Sequence, residues 1–226
     1  IKDGRVSRGW LGVTIQDVTP DMAEARGLAE PKGAIVADLV ADSPAKKSGI
    51  KRGVIIIEVN GEKVDDATAT TRLVARLAAG SKNSVIVLRD GSRTNVSVTV
   101  GERPEDPNAN FAARDSDAPD SEGEAEEAPL GITLKPLDNA TREAIQLDAG
   151  ETGMVIGSIE RDSPFRDLGV QAGMVILDVN GTPLASVEDL ETAIATAKSR
   201  NRDKVLMAIR VGQRTSFISV DIADAE

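Results

Sequence analysis

Short runs of about four or five aliphatic residues, separated by glycine, proline and polar residues, recur along the whole chain. Runs of this length that are rich in valine and isoleucine predict buried strands, because a globular helix needs roughly ten residues or more. Two longer stretches, residues 67–79 and 187–197, place apolar residues three or four positions apart and predict helices. The pattern therefore predicts a mainly β chain with a few helices, which is an α+β fold class.

The same order of elements is predicted twice. In each half a strand and a short helix precede two further strands, and a longer helix precedes a closing hairpin. Apart from the strand in each copy of the repeated stretch described next, the predicted strands cover residues 13–15, 33–40, 85–88, 96–100, 130–134, 153–159, 205–211 and 215–222. The short helices are predicted at residues 20–26 and 139–145.

One stretch makes the duplication explicit. The dipeptide Ser43-Pro44 and, 120 residues later, Ser163-Pro164 are each followed by two glycines, an aliphatic run and Asn-Gly. Serine caps helices and proline suits the first helical position, so both copies predict a short helix. Asn60-Gly61 and Asn180-Gly181 predict tight hairpin turns. A repeat this long indicates two related domains rather than a solenoid, whose repeats are roughly 20–50 residues long.

Length and composition narrow the classes of function. A chain of 226 residues, of which 40% are apolar, suits two domains of about 100 residues each. The chain has no cysteine and no histidine, so we expect no disulfide, no metal site, no cofactor and no Ser-His-Asp catalysis within these residues. No basic stripe for nucleic acid, no apolar run long enough to span a membrane and no signal peptide is recognisable.

The acidity is concentrated in the middle of the chain. Residues 102–127 contain ten acidic residues and two basic residues, Arg103 and Arg114, which gives this segment a net charge of −8. The remainder of the chain therefore carries only −2 of the total charge of −10. This segment has almost no apolar residues and predicts a disordered, self-repelling linker.

A Leu-Gly-aliphatic loop opens each half and is the candidate site. The central glycine lets successive backbone N–H groups point outward together, which suits an anion such as a carboxylate. A peptide could pair with the strand that follows and place its last side chain in an apolar pocket. The predicted peptide-binding residues are Leu11, Gly12, Val13, Ile15, Leu73 and Leu77 in the first half, and Leu130, Gly131, Ile132, Leu134, Leu190 and Ile194 in the second.

Taken as an ordered set, these motifs resemble PDZ domains and, more closely, the tandem PDZ region of bacterial periplasmic serine proteases of the Do (HtrA) family. The segment at residues 4–13 is similar to the junction that joins that family's protease domain to its first PDZ domain. The family often has Asp after the second glycine of the repeat, where this chain has Val54 and Met174.

The resemblance implies two PDZ domains, each a small antiparallel β-barrel or sandwich with two helices, joined by the acidic linker. The expected boundaries are an upstream protease tail at residues 1–8, the first PDZ domain at 9–101, the linker at 102–128 and the second PDZ domain at 129–226. It also implies that each Leu-Gly-aliphatic loop binds a peptide's terminal carboxylate.

The function implied by the resemblance is a regulatory, peptide-binding module without catalytic activity of its own. It would capture hydrophobic C-termini or unfolded segments for a periplasmic serine endopeptidase and chaperone of protein quality control, and would control its homo-oligomerisation. Two alternatives remain: a non-proteolytic PDZ scaffold, and a purely structural oligomerisation module with closed grooves.

Overall fold

The structure, a computed structural model, describes residues 9–89, 91–102, 104, 124–148 and 150–223. These residues fall into two compact units. The first contains the described residues between 9 and 20 and between 30 and 104, and the second contains those between 21 and 29 and between 124 and 223.

The first unit is an antiparallel sheet of six strands with a separate two-stranded ribbon. The sheet order is β2-β3-β4-β6-β7, with β5 paired to β4, and the ribbon pairs β1 with β8. The strands are β1 (Gly9–Trp10), β2 (Val13–Asp17), β3 (Ala34–Leu39), β4 (Ile55–Val59), β5 (Glu62–Lys63), β6 (Lys82–Arg89), β7 (Ser92–Thr99) and β8 (Gly101–Glu102).

The second unit is a seven-stranded antiparallel sheet in the order β15-β14-β12-β11-β10-β9, with β13 paired to β12. Its strands are β9 (Glu126–Ala128), β10 (Ile132–Pro136), β11 (Met154–Ile159), β12 (Val175–Val179), β13 (Thr182–Pro183), β14 (Lys204–Val211) and β15 (Arg214–Asp221). The helices of the chain are α1 (Pro20–Arg26), α2 (Pro44–Lys47), α3 (Ala67–Ala75), α4 (Asn139–Ala144) and α5 (Val187–Ser199).

Each unit has its own aliphatic core, built from the short aliphatic runs that form its strands. Val36 and Ile56 are wholly buried in the first core, together with Val85. Leu190 and Phe165 are wholly buried in the second. The predicted α+β class with two related units is confirmed, but the sheets are open and the described residues form no closed barrel.

The Asn-Gly turns are as predicted. Asn60 and Gly61 have φ angles of 50° and 85°, and Asn180 and Gly181 have 53° and 85°. Positive φ at both central residues is what a type I′ hairpin turn requires, and Asn-Gly adopts it most readily. These turns join β4 to β5 and β12 to β13.

The prediction of a short helix after both serines is right for one copy and wrong for the other. Ser43 accepts a hydrogen bond from the Lys46 amide at 3.2 Å and caps α2, with Pro44 at its first position. Ser163 instead donates its hydroxyl to the Leu130 carbonyl at 2.7 Å, and residues 164–168 form turns. In the second copy the serine thus connects the turn to the loop before β10, and turns take the place of the helix.

Candidate functional site

The Leu-Gly-aliphatic loop of the first unit is held by its carbonyl groups. The Leu11 carbonyl accepts a hydrogen bond from the Ala45 amide at 3.0 Å, and the Gly12 carbonyl accepts one from the Val40 amide at 2.9 Å. Both carbonyl oxygens are therefore engaged inside the unit. This arrangement keeps two repulsive partial charges away from any anion that approaches the loop.

Gly12 is required at the centre of this loop. Its φ of +72° lies in the left-handed region. A β-carbon there would overlap that of Ser43 and lie 2.9 Å from the ring of Trp10. Glycine is the residue that meets both demands, because it adopts positive φ at no steric cost and has no side chain to clash.

β2 and α3 lie side by side, and a contact holds them together near each end. At one end the Asp17 carboxylate accepts a hydrogen bond from the Ala67 amide at 2.7 Å, which joins the end of β2 to the start of α3. At the other end Gly9 lies so close to the carbonyl of Val74 that a β-carbon would clash. We call the region between α3 and the facing edge of β2 the groove; the edge is five residues long, about 17 Å at ~3.3 Å per residue.

The strand edge that faces this groove is open. Among the described residues, β2 pairs with β3 on one side and with no strand on the other. An unpaired edge presents backbone N–H and C=O groups that another chain can bind. The helix beside it adds an apolar wall, because α3 packs against β2.

The structure divides the predicted residues of the first unit into a floor and an accessible part. Leu11 and Leu73 are 3% and 9% exposed and belong to the core. Val13, Ile15 and Leu77 pack on the same core but are only half-buried. The half-buried residues are the ones that retain apolar surface for a ligand.

The loop of the second unit has a similar backbone hydrogen bond but a different backbone conformation. The Gly131 carbonyl accepts a hydrogen bond from the Glu160 amide at 2.9 Å, as Gly12 does from Val40. Leu130 and Gly131 have φ angles of 70° and 66°, so two successive residues are left-handed. In the first unit only Gly12 of the loop has a positive φ.

A carboxylate lies beside this second loop. The side chain of Glu160 passes Gly131 so closely that a β-carbon on Gly131 would be 3.2 Å from its Oε2 atom. The corresponding residue of the first unit is the aliphatic Val40. Two like charges 4 Å apart repel by about 1 kcal/mol even in water, so Glu160 disfavours a bound peptide carboxylate here.

The predicted site residues of the second unit are mostly inaccessible. Ile132, Leu134, Leu190 and Ile194 are between 0% and 6% exposed, whereas Leu130 and Gly131 are half-buried. Counted from the cap residues Asp66 and Ser186, Leu190 and Ile194 correspond to Thr70 and Val74. They are therefore not equivalent to Leu73 and Leu77, and the two sets lie at different positions of their helices.

One strand of this region was not predicted from the sequence. β9 pairs with β10 in the register Ala128 to Ile132, Glu127 to Thr133 and Glu126 to Leu134. Its residues belong to the acidic stretch that composition assigns to a linker. Only contact with β10, which no local pattern records, makes these three residues a strand.

Other kinds of site find no support in the part of the chain that the structure describes. No group of three or more acidic, histidine or cysteine residues in these ranges is arranged to hold a metal ion. Within the same ranges no helix is long and apolar enough to cross a membrane.

The chain belongs to the PDZ domain family. The sequence model of that family matches it twice, at residues 9–100 and 128–222. These ranges contain the two sheets except for Glu126 and Glu127 of β9, and each includes one Leu-Gly-aliphatic loop with the strand and longer helix that follow it.

Curated relatives place this tandem pair among proteins that are named as proteases. It is 38% identical over 225 residues to a probable periplasmic serine endoprotease DegP-like of Rhizobium meliloti (strain 1021), covering 98% of the chain and 42% of the relative. It is 36% identical over 223 residues to the protein of the same name in Pseudomonas putida (strain W619), covering 99% and 45%. The chain thus spans less than half the length of these relatives.

A solved structure of an HtrA-type protease, AlgW with a decapeptide, is 39% identical where it matches. The match covers 46% of this chain and 32% of AlgW, with a TM-score of 0.42. The resemblance to the tandem PDZ region of the HtrA family is confirmed by the family match and the curated relatives.

Proposed function

We propose that the first unit binds an extended peptide, which adds to β2 as an antiparallel strand and places its terminal carboxylate at Leu11-Gly12-Val13. The observation that carries this proposal is the open edge of β2 beside α3. Strand addition supplies affinity through main-chain hydrogen bonds and specificity through pockets for alternate side chains. An antiparallel peptide ends at the start of β2, which is where the loop lies.

The preferred ligand ends in a hydrophobic residue. Val13, Ile15 and Leu77 offer half-buried aliphatic surface next to the loop. Burial of one Leu- or Val-sized side chain contributes roughly 1.5–3 kcal/mol. A few main-chain hydrogen bonds add about 0.5–1.5 kcal/mol each, which makes weak binding, at best micromolar, the expected range. Such binding suits the C-termini and exposed segments of unfolded proteins.

In the longer protein we propose a regulatory role. The relatives named as periplasmic serine endoproteases are more than twice as long as the matching region, so a protease domain upstream of this chain would receive the captured peptide. This chain has no histidine, and a Ser-His-Asp triad would have to be supplied by that domain. We place the protein in the periplasm and propose that peptide capture shifts its homo-oligomeric assembly toward the active form.

Peptide capture is tested by titration of the chain with a peptide ending in a free Val or Leu carboxylate, against the same peptide with a C-terminal amide. The single tryptophan, Trp10, adjoins Gly12, and its fluorescence reports occupancy of the loop. We expect micromolar binding of the acid and at least tenfold weaker binding of the amide. Equal binding of both would refute carboxylate capture, and no binding of either would favour the structural alternative.

The regulatory role requires a separate experiment on the full-length protein. Its particle size and its proteolysis of an unfolded substrate would be measured with and without the carboxylate peptide. We expect both to change over the same peptide concentrations. A full-length protein with no His, Asp and Gly-Asn-Ser-Gly-Gly segment upstream would instead support the scaffold alternative.

A further inference from the structure

The two units differ at the one strand edge that matters for peptide binding. In the first unit the edge of β2 is open among the described residues, whereas in the second unit β9 occupies the equivalent edge of β10. β9 consists of Glu126, Glu127 and Ala128 and is antiparallel to β10. The second groove is therefore filled by the protein's own chain.

The direction of β9 is the direction proposed for a peptide ligand. Its last residue, Ala128, lies opposite Ile132, the first residue of β10. Directly opposed residues of an antiparallel pair project to the same face, so the Ala128 side chain shares the core face of Ile132. Ala128 is half-buried and packs against the core of the unit. It thus holds the place of a peptide's final side chain.

The helix of the second unit completes the match. α5 packs against β9, so the strand lies between β10 and the helix. The burial of β10 agrees with this, because Ile132 and Leu134 are 3% and 0% exposed whereas their equivalents Val13 and Ile15 are half-buried. Residues 129–131 continue from β9 into the loop, so this occupant has a peptide bond where a free ligand has its carboxylate.

We propose that Glu126–Ala128 is a built-in ligand that closes the groove of the second unit, so that a peptide binds there only after β9 is displaced. This inference rests on the proposed mode of peptide binding in the first unit. A tethered segment acts at an effective concentration on the order of millimolar, and the apparent affinity for a competitor falls by the fraction of open molecules.

The pairing of β9 with β10 is short, so that a competing peptide can displace β9. The strand has three residues, and Glu126 and Glu127 are both exposed, so only Ala128 adds buried apolar surface. A longer peptide with a large apolar side chain would gain more contacts than β9 gives up, and this makes the second groove a conditional site rather than an absent one.

The test weakens the pairing of β9 with β10 by substitution and measures peptide binding to each unit separately. In the full chain, Glu126→Pro with Glu127→Pro removes two successive backbone donors, one of which must face β10, since alternate residues of a strand point their N–H groups to opposite sides. A matched control places the same prolines elsewhere in the acidic stretch, as Asp115→Pro with Ser116→Pro. Backbone amide NMR with a hydrophobic-ended peptide then follows β2 and β10 in one titration.

We expect β10 amides to respond to peptide at a concentration at least tenfold lower in the Glu126→Pro, Glu127→Pro variant than in the control, while the β2 response stays the same. An unchanged β10 response would overturn the built-in ligand. Failure of β2 to respond in every variant would instead refute the proposed function, so the two failures are distinguishable.

A disulfide that fixes β9 to β10 provides a second test, which remains valid if the prolines disturb the fold. The chain has no cysteine, and Glu127 lies opposite Thr133, within the Cα separation of 4.4–6.8 Å that disulfides accept. Glu127→Cys with Thr133→Cys, oxidised, should abolish the β10 response to peptide, and reduction should restore it. Equal responses in the oxidised and reduced forms would overturn the proposal.

Discussion

Replacement of Gly12 by alanine is the sharpest single perturbation of the first groove. Gly12 has a φ of +72°, and its β-carbon would overlap that of Ser43. Left-handed backbone costs a non-glycine residue roughly 1–2 kcal/mol. An overpacked contact costs about 1–3 kcal/mol more, because the Ser43 side chain is wholly buried and cannot move aside. We therefore expect Gly12→Ala to destabilise the first unit by about 2–5 kcal/mol.

The matched control is Gly80→Ala. Gly80 has a φ of +80°, so it carries the same backbone cost, but a β-carbon there would meet nothing within 4 Å. The control should lose only about 1–2 kcal/mol. The difference between the two variants isolates the contact with Ser43 from the backbone strain.

Urea unfolding followed by the fluorescence of Trp10 measures this difference, because Trp10 is the only tryptophan and lies in the first unit. Peptide titration of the folded variants gives the second readout, and we expect at least tenfold weaker binding for Gly12→Ala and unchanged binding for Gly80→Ala. Equal stability losses together with unchanged affinity in both variants would refute the role given to Gly12.

Three further predictions concern the second unit. Phe165→Ala should lower the free energy of unfolding of the second unit by about 3–5 kcal/mol, because this ring is wholly buried. Global hydrogen exchange of this unit should become faster accordingly, and a smaller acceleration than this free energy implies would contradict the prediction. The Ala185 amide, and after it the side chain and amide of Ser186, lower the pKa of Asp189. The stability that this carboxylate contributes is therefore present above the ordinary Asp pKa of about 3.9 and is lost as the pH falls through the lowered folded value. In unfolding measurements at a series of acidic pH values, the difference in stability between the unmodified chain and Asp189→Asn should shrink toward zero. With β9 opened by proline, adding Glu160→Val should strengthen binding of a carboxylate peptide about fivefold, the equivalent of ~1 kcal/mol, and leave the amide peptide unaffected.

Local sequence determined most of the individual elements. Asn-Gly fixes two successive positive φ angles, and both pairs form the predicted hairpin turns. Short aliphatic runs became strands and the spaced apolar residues became α3 and α5, although α3 ends at Ala75 rather than at residue 79. These features depend on residues within a few positions of one another, so a pattern in the chain suffices to predict them.

The tertiary structure decided what the two halves do differently. Ser43 and Ser163 head the same motif, but one caps a helix and the other binds the Leu130 carbonyl 33 residues away. Two loops of the same pattern have different neighbours, since Val40 adjoins one and Glu160 the other. Among the described residues the outer edge of β2 is open, whereas the outer edge of β10 is filled by β9, a strand from the acidic segment. Which segment, if any, occupies an exposed strand edge is decided by the backbone groups of both segments, and periodicity within one segment carries no record of it.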